Sequence, residues 1–359
     1  MRLPSREATG LQTQEAMCRN PSPYTDERVF FFMLFASTVT RSNIYSNIVS
    51  KMLVLILIVA TLCGCQNMEN SPYLNTSALE DINITDSLGR EITIPSSPEK
   101  IVSLAASNTE ILFAINADVN LVARDEYSDY PPETADIPSI GSLYPQVNTE
   151  VIVNLEPDLV LAAGITNPED ITALDKLGIT VFTTSIASDL DDIYGDIKNV
   201  GTITGYSDNA NALVKDMQTR VQDIKDNVIK QSTIPSVYYE IDASEPSKPW
   251  TPGDGSFIDI LITTAGGTNI GAISDEPYWQ ISLEQLIYED PDIIVLGSSK
   301  YGGQTKSTVL NRPGWETLKA VKTGQIYEFD DDLVSRPGPR IVDGLETLAN
   351  IINTIESKK

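Results

Sequence analysis

The sequence of 359 residues predicts an α/β protein of two similar lobes joined by one long α-helix. Three observations predict this fold. From residue 82 onward short β-rich runs alternate with helical patterns, one segment occurs twice, and a long amphipathic stretch lies between the two copies. Because alternating strands and helices are typical of βαβ units with parallel sheets, we expect each lobe to be Rossmann-like.

The first observation is the order of the predicted strands. They are short apolar runs at residues 100–104, 159–162, 180–183, 236–241 and 293–296. Helical patterns lie between several of these runs. This order indicates βαβ units, in which a helix connects neighbouring parallel strands.

The second observation is an internal repeat that aligns residues 144–161 with residues 278–295 without a gap. The copies share Tyr, Gln, Glu, Pro and Asp at matching positions, and their apolar positions also agree. Each copy predicts a loop, a short helix opened by an Asn or Ser cap, a Pro-Asp turn and a buried strand. A weaker similarity pairs residues 109–112 with residues 258–261 in the same order. The repeat therefore indicates two related lobes.

The third observation is the stretch of residues 206–231, where apolar side chains recur every three or four positions, as in an amphipathic helix. Those side chains are Ala210, Leu213, Met217, Val221, Ile224 and Val228. Ser207 or Asp208 can cap the start of the helix. A stiff helix between the lobes favours a preformed cleft with a small closing motion over a wide hinge.

The N-terminal part of the chain is interpreted as a targeting segment. An apolar run at residues 52–62 follows Lys51 and is shorter than the roughly 20 residues that span a membrane. It ends in Leu-Cys-Gly-Cys, which resembles the lipobox of prokaryotic lipoproteins with Cys65 as the lipidated residue. An uncleaved membrane anchor is the alternative. The translation start is expected later than residue 1, near Met52 or slightly before it. Both kinds of anchor place the lobes outside the cytoplasm, at the membrane.

These observations together predict the domain organisation. We expect a leader at 1–65, a flexible tether at 66–80, a first α/β lobe at 81–205, a bridging helix at 206–232 and a second lobe at 233–359. The polar composition of the tether favours flexibility.

Composition excludes several classes of function. The formal net charge is −25, which argues against a nucleic-acid partner because phosphates require a basic face. The chain has no histidine and no cysteine after Cys65, so histidine-based or thiolate catalysis and a His/Cys zinc site are not expected. A carboxylate-based enzyme is the remaining catalytic alternative, but the acids show no diagnostic spacing. We therefore expect no enzyme, no metal site and no cofactor.

Residues from about 80 to the end resemble the helical-backbone periplasmic binding proteins that serve ABC importers of cobalamin and ferric siderophores. The resemblance is carried by residues 101–112, 127–131, 150–161, 250–267 and 335–340. It implies a monomer that captures a small molecule in a cleft between its lobes. It also implies delivery to a permease dimer with its ATPase subunits. Cobalamin or a related corrinoid is the first expectation, and a ferric siderophore or haem is the alternative.

The resemblance also implies ligand-binding residues, namely Tyr127, Tyr144, Trp250, Tyr278, Trp279, Asp332 and Arg336. Aromatic walls suit a large ligand with apolar faces, and a few polar groups orient it. Each aromatic could instead pack in the core, and Arg336 could pair with an acid among residues 330–332. The cobalamin receptors carry a tryptophan where this chain has Ala163, which leaves the identity of the ligand open.

Glu150 and Glu284 occupy matching positions of the repeat, each in the first turn of its predicted helix. The resemblance implies that they project from the two lobes and pair with arginines of the permease. Arg-carboxylate pairing orients partners as well as attracting them. The alternative is that each acid only complements its helix dipole, a contribution of roughly 0.3–1 kcal/mol.

Overall fold

The computed structural model describes residues 81–228 and 234–355 of the chain. They belong to one compact unit, Asn75–Lys359. The predicted leader, the tether and the lipidation residue Cys65 lie outside the described residues. None of the described helices is both long enough and apolar enough to cross a membrane.

The first lobe contains a parallel four-stranded sheet and an antiparallel hairpin. The hairpin is β1 (Ile82–Thr85) and β2 (Glu91–Ile94), and the sheet consists of β3 (Ile101–Ser103), β4 (Leu121–Arg124), β5 (Leu159–Ala163) and β6 (Val181–Thr184). The strand order of the sheet is β4-β3-β5-β6. All its pairings are parallel, as predicted from the alternation.

The second lobe repeats this arrangement. Its sheet consists of β7 (Ser236–Glu240), β9 (Thr268–Asn269), β11 (Ile293–Leu296) and β12 (Ile326–Glu328) in the order β12-β11-β7-β9. A separate two-stranded antiparallel ribbon pairs β8 (Trp250–Pro252) with β10 (Tyr278–Gln280). The strands predicted at 100–104, 159–162, 180–183, 236–241 and 293–296 are all present within a residue or two.

The helices cover the sheets and connect the strands. In the first lobe they are α1 (Ala106–Ala114), α2 (Thr149–Leu155), α3 (Pro168–Lys176) and α4 (Leu190–Thr204), followed by α5 (Ser207–Val228). In the second they are α6 (Phe257–Thr264), α7 (Leu283–Glu289), α8 (Ser299–Gly302), α9 (Lys306–Leu310), α10 (Lys319–Thr323), α11 (Asp332–Ser335) and α12 (Ile341–Asn353).

Strand registers show that the two sheets are equivalent. Ile101 of β3 pairs with Leu159 of β5, and Val237 of β7 pairs with Ile293 of β11. Because the sequence repeat matches Leu159 with Ile293, β3 corresponds to β7 and β5 to β11. Read from its other end, the second sheet therefore has the same topology as the first.

The two repeat copies fold alike. Asn148 caps α2 by accepting a hydrogen bond from the Val151 N–H, and Ser282 caps α7 in the same way. Both helices have seven residues and end on an acidic residue in the left-handed region, Glu156 with φ 49° and Asp290 with φ 43°. A Pro-Asp pair and a fully buried strand follow each helix. The predicted cap, turn and strand are thus confirmed in both copies, whereas the loop predicted at the start of the second copy is wrong, because residues Tyr278–Gln280 form the strand β10.

The long helix α5 packs against α4 of the first lobe and against α6 and α12 of the second. It was predicted at 206–231, of which residues 229–231 lie outside the described part of the chain. At ~1.5 Å per residue it extends roughly 33 Å. One apolar cluster runs through both lobes and includes Leu161, Met217 of the helix, and Leu345. Its side chains make the helix part of the shared core.

Candidate functional site

The residues that carry chemistry gather where the parallel strands of both sheets end. Tyr127 follows β4, Lys300 and Tyr301 follow β11, and Asp332 follows β12. Ligands of open α/β sheets bind outside the carboxyl ends of the strands. Two sheets that bring these ends together can therefore form one site from both lobes.

Ion pairs join the lobes at this site. Arg340 of the second lobe donates two hydrogen bonds, at 2.8 and 2.6 Å, to the buried carboxylate of Glu110 on α1. The same guanidinium lies over the ring of Tyr130 at 3.9 Å from its centroid. Arg336 donates to Asp129 at 2.6 Å. These bidentate and stacked contacts hold the segment that precedes α12 against the first lobe.

A network of charges surrounds Arg336 on the side of the second lobe. Its guanidinium lies 3.0 Å from the buried Asp332 carboxylate and donates to the Tyr301 hydroxyl at 3.2 Å. Lys300 also pairs with Asp332. Burial disfavours the charge of Arg336, but its bond to Asp129 and the neighbouring Asp332 outweigh burial and raise its pKa. The sequence alternative of a pairing between Arg336 and one of the acids at 330–332 is therefore realised, together with a pairing across the lobes.

The same interaction acts on Asp129. Partial burial opposes ionisation of this carboxyl group, but the Arg336 guanidinium outweighs it and holds the pKa of Asp129 below its usual range. A carboxylate with a depressed pKa contributes stability above its unfolded pKa and loses it as the pH falls through the folded pKa. The contact between Asp129 and Arg336 is therefore complete at neutral pH.

Tyr127 lies in the loop of residues 125–130, called the Tyr127 loop below. Its side chain is 59% exposed. Its backbone N–H donates to Asp125 Oδ2 at 3.0 Å, and its carbonyl accepts from the Asp129 N–H. The loop thus presents the tyrosine ring outward from a backbone that is anchored at its base.

Trp250 and Tyr278 were predicted in loops, but they lie in the ribbon of β8 and β10. Gln280 stands opposite Trp250, and Pro252 stands opposite Tyr278. Alternation along a strand therefore places both aromatics on one face of the ribbon, as diagonal neighbours. They are 40% and 47% exposed. Burial, followed by the charge of Asp331, raises the pKa of Tyr278.

Trp279 lies on the other face of the same ribbon, beside the buried Thr251. Its indole N–H donates to the Gly271 carbonyl at 3.0 Å, and its ring packs against the apolar core of the second lobe. The structure thus separates Trp279 from Tyr278, although the two are adjacent in sequence. Trp279 supports the ribbon, whereas Tyr278 is presented by it.

Tyr144 and Ala163 are in different environments. Tyr144 precedes α2 in a loop and is 85% exposed. Ala163 ends β5, is buried, and donates its N–H to the Thr166 hydroxyl at 3.1 Å. The first lobe therefore offers an exposed tyrosine at the start of the repeat and a small side chain at the carboxyl end of its inner strand β5.

Glu150 and Glu284 are both exposed in the first turns of α2 and α7. No hydrogen bond or ion pair with another described residue involves either carboxylate. Asn148 caps α2 and Ser282 caps α7, so neither glutamate is needed as a cap. Their environments are equivalent, as the repeat predicted.

Sequence reasoning missed Lys300, Tyr301 and Asp129 as members of this site. Lys300 and Tyr301 come shortly after the predicted strand 293–296, and that position was the available signal. Asp129 lies in the matching stretch 127–131, but no local pattern indicated its ion pair, because its partner Arg336 lies 207 residues away. In the described part of the chain no group of three or more His, Cys, Asp or Glu side chains is arranged to hold a metal ion.

The family model described as periplasmic binding protein matches residues 101–333. The chain belongs to the periplasmic binding protein family. This periplasmic binding protein is 32% identical over 307 residues to the uncharacterized ABC transporter substrate-binding lipoprotein YvrC of Bacillus subtilis. That match covers 83% of the chain and 95% of the relative. The family predicted from the sequence is therefore confirmed.

Two solved structures share the fold. The vitamin B12 binding protein BtuF of Vibrio cholerae is 28% identical with a TM-score of 0.62, over 74% of this chain and all of the other. The heme-binding protein RhuT of Roseiflexus, in its apo form, is 25% identical with a TM-score of 0.64, over 71% and 98%. The architecture of two Rossmann-like lobes with a cleft between them, as predicted, is that of these proteins.

These relationships define the role at the level of class. The protein is an extracytoplasmic substrate-binding component of an ABC transporter, in the class that includes receptors for vitamin B12, siderophores and haem. It acts with permease and ATPase components. Its task is to bind a small molecule rather than to catalyse a reaction.

Proposed function

We propose that this protein captures cobalamin or a related corrinoid and delivers it to the permease dimer of an ABC importer. The observation that carries the proposal is the pair of exposed aromatics on one face of the β8-β10 ribbon, Trp250 and Tyr278. Tyr127 adds an exposed aromatic surface from the first lobe, and Tyr144 adds another.

A corrinoid is large and flat, with apolar faces and a polar rim. Aromatic rings contribute contact area at low cost in rotamer entropy, and isolated polar groups at the rim set the orientation. Arg336, Asp332 and Tyr301 supply such polar groups at the ends of β11 and β12. We assign Trp279 a supporting role behind Tyr278 because its indole is bonded to the backbone.

A ferric siderophore or haem is the second candidate, and Ala163 favours it. The small side chain at the end of β5 provides no stacking surface of the kind expected for a corrin ring. Arg336 and Lys300, which pair with Asp332 in this structure, would suit carboxylates such as those of haem if a ligand replaced that partner. Because the chain lacks histidine, a haem iron would need a tyrosine ligand, and Tyr127 and Tyr301 are exposed.

Calorimetry on the purified full-length protein tests these candidates. We expect cyanocobalamin or cobinamide to bind one to one, and Tyr278→Ala to weaken that binding about tenfold or more, as loss of a buried aromatic anchor does. Tyr288→Ala is the matched control, since Tyr288 is an exposed tyrosine of α7 outside the ribbon. Binding of haem or a ferric siderophore alone would transfer the assignment to the second candidate, and binding of none would overturn both.

We further propose that Glu150 and Glu284 dock this protein on the permease. The two carboxylates are exposed, equivalent under the repeat and placed one on each lobe. A two-fold symmetric partner presents the same patch twice, so it is matched by two equivalent acids. Arginine is the expected counterpart because its guanidinium binds a carboxylate with two parallel bonds.

Charge reversal at both positions tests docking. The double variant Glu150→Lys with Glu284→Lys is expected to abolish ligand uptake by cells while ligand affinity stays unchanged. The matched control reverses two other exposed acids, Glu133 and Glu316, one on each lobe. An equal loss of ligand affinity would assign the glutamates to the cleft instead, and unchanged uptake would remove them from the docking surface.

A lipid on Cys65 is our proposal for how the protein is held at the outer face of the cell membrane, and the lipoprotein relative supports it. The variant Cys65→Ser should then appear in the soluble extracytoplasmic fraction. Retention of this variant in the membrane would favour an uncleaved N-terminal anchor.

A further inference from the structure

A chain of hydroxyl groups beneath the Tyr127 loop ends on a buried carboxyl group. Ser103 donates to the Ala105 carbonyl at 3.0 Å, and Thr109 contacts the Ser103 hydroxyl at 2.8 Å. Ser128 lies 2.8 Å from the Thr109 hydroxyl and makes a short contact with Asp125 Oδ1. All four side chains that form the chain are buried.

The number of protons in this chain determines the state of its last member. Four contacts between oxygen atoms run from the Ala105 carbonyl to Asp125, and each needs one hydrogen. Ser103, Thr109 and Ser128 supply one hydrogen each, and an ionised carboxylate supplies none. If Asp125 were ionised, one of the four close oxygen pairs would lack a hydrogen. If Asp125 is a carboxylic acid, all four bonds form, and each group donates to the next one on the way from Asp125 to the Ala105 carbonyl.

We infer that Asp125 is held as a carboxylic acid and is the positioning residue for the Tyr127 loop, an inference whose ligand-binding consequence rests on the proposed function. In this state the Oδ1 hydroxyl would donate to Ser128 across the short contact of the two oxygens, and Oδ2 accepts from the Tyr127 N–H at 3.0 Å. One side chain therefore connects both ends of the turn that carries Tyr127.

The position of this loop affects both lobes. Tyr127 is the aromatic that the first lobe presents beside the strand ends, and the next residues contact the second lobe. Asp129 accepts from Arg336, and Tyr130 lies beneath the Arg340 guanidinium. A carboxyl group that fixes the backbone conformation of residues 125–128 therefore positions both the Tyr127 ring and the residues that contact the second lobe.

The surroundings of Asp125 favour the neutral form. Burial raises its pKa and outweighs the opposing effects of the Ser128 bond, of the bonds to the backbone N–H groups of Tyr127 and of Asp125 itself, and of the charge of Arg124. Arg124 is directed to other acceptors, the carbonyls of Thr134 and of Asp125 itself. The acids nearest in the chain are exposed Glu126 and Asp129, which is paired with Arg336, while Glu110 beside Thr109 is paired with Arg340.

Asparagine reproduces the hydrogen-bonding pattern of this carboxylic acid at every pH. Its Nδ2 group donates to Ser128, and its Oδ1 accepts from the Tyr127 N–H. Alanine removes both bonds. Asp125→Asn and Asp125→Ala are therefore a matched pair that separates a neutral hydrogen-bonding role from a role that requires charge.

Carbon-13 NMR of the full-length protein, labelled at the aspartate side-chain carboxyl carbon, tests the protonation state without any ligand. Burial raises the pKa of Asp196 and Asp331 as well, so more than one carboxyl signal is expected to titrate above the usual aspartate range. We expect one of these signals to be missing in Asp125→Asn. Titration of Asp125 within or below the usual range would overturn the inference, whether or not the ligand has been identified.

Hydrogen exchange at the Tyr127 amide and calorimetry with cyanocobalamin, or with haem if that is the ligand, test the positioning role. A raised folded pKa of an acid favours the folded state at low pH, and this contribution is lost as the pH rises through the folded pKa. As the pH rises through the folded pKa of Asp125, we expect the protection of the Tyr127 amide and the ligand affinity of the wild type to fall. The same two quantities should stay constant in Asp125→Asn. Asp125→Ala should lose amide protection and about tenfold in affinity at every pH. Equal pH profiles for wild type and Asp125→Asn would refute the role.

Discussion

The two lobes share one scaffold but fill the same core position in opposite ways. The registers of β3 and β7 make Leu104 of the first lobe equivalent to Glu240 of the second. Leu104 is buried among apolar side chains. Glu240 is fully buried and pairs with Arg312 at 2.5 and 2.9 Å. A repeated fold therefore preserves topology without preserving the chemistry of its interior.

The pair in the second lobe is well satisfied. Glu240 also accepts from the Ser298 hydroxyl at 2.7 Å, and Arg312 lies over the Trp315 ring at 4.4 Å from its centroid. Buried ion pairs of this kind cost desolvation, and an apolar pair of similar volume is often as stable. The comparison suggests that the pair specifies the arrangement of the loop after β11 more than it adds to stability.

The helices α1 and α6 differ in a related way. Glu110 of α1 bonds to Arg340 of the other lobe, whereas Asp259 of α6 accepts from Gly255 and Asn269 within its own lobe. The weaker repeat matches these two acids in sequence. Equivalent positions thus serve contact between the lobes in one copy and loop structure in the other.

The largest effect is expected at the buried pair. Glu240→Ala should lower the free energy of unfolding by about 3–5 kcal/mol, because Arg312 remains buried without its partner. Chemical denaturation of the full-length protein measures this change.

A double variant sharpens the comparison between the lobes. Replacing the pair by Glu240→Leu with Arg312→Met imitates the apolar interior of the first lobe, and we expect it to recover most of the loss. A double variant as unstable as Glu240→Ala would show that the second lobe depends on the charges themselves.

The features that sequence predicted are those with local signals. Asn148 and Ser282 precede their helices directly, and the Pro-Asp turns that follow are also local, so the helix, turn and strand of both repeat copies could be predicted. The parallel pairing of the strands followed from the alternation of strands and helices, whereas their order in the sheets was not predicted. Local patterns of this kind decide which element forms and where it begins and ends.

The features that sequence missed depend on distant partners. The separation of Tyr278 from Trp279 depends on the pairing of β10 with β8, which decides the face that each side chain occupies. Arg340 and Glu110 are 230 residues apart. The roles of these residues follow from register and from contact between lobes, which no local pattern encodes.

An intermediate loss of unfolding free energy is expected at the two aspartates that directly precede the central strands β5 and β11. Asp292 Oδ2 accepts the N–H of Ser236 at 2.9 Å, and Asp158 Oδ2 accepts those of Glu99 and Lys100, each at 2.9 Å. Asp292→Ala should cost about 1–2 kcal/mol and Asp158→Ala less, about 0.5–1 kcal/mol, because its bonds are more exposed. Equal losses would mean that exposure of these bonds does not matter.

The pH dependence of its contribution to stability distinguishes Asp292 further from Asp158. Partial burial opposes its ionisation, but Lys319 and Ser236 outweigh burial and hold the pKa of Asp292 below its usual range. Its contribution is present above the unfolded pKa of about 4 and is lost as the pH falls through the folded value. The stability difference between wild type and Asp292→Ala should therefore shrink in acid, which denaturation curves at several pH values measure.

The smallest effect is expected at the residues that end α2 and α7. Glu156 and Asp290 both adopt positive φ, where glycine is less strained, so glycine at Glu156 should stabilise the protein by about 0.5–1 kcal/mol. Asp290→Gly should stabilise the protein less. Asp290 Oδ1 accepts the Lys319 backbone N–H at 2.7 Å, and the variant loses that hydrogen bond. Thermal unfolding of the two variants measures the difference. An equal gain in both would show that the bond to Lys319 contributes nothing and that the two copies end their helices with the same energetics.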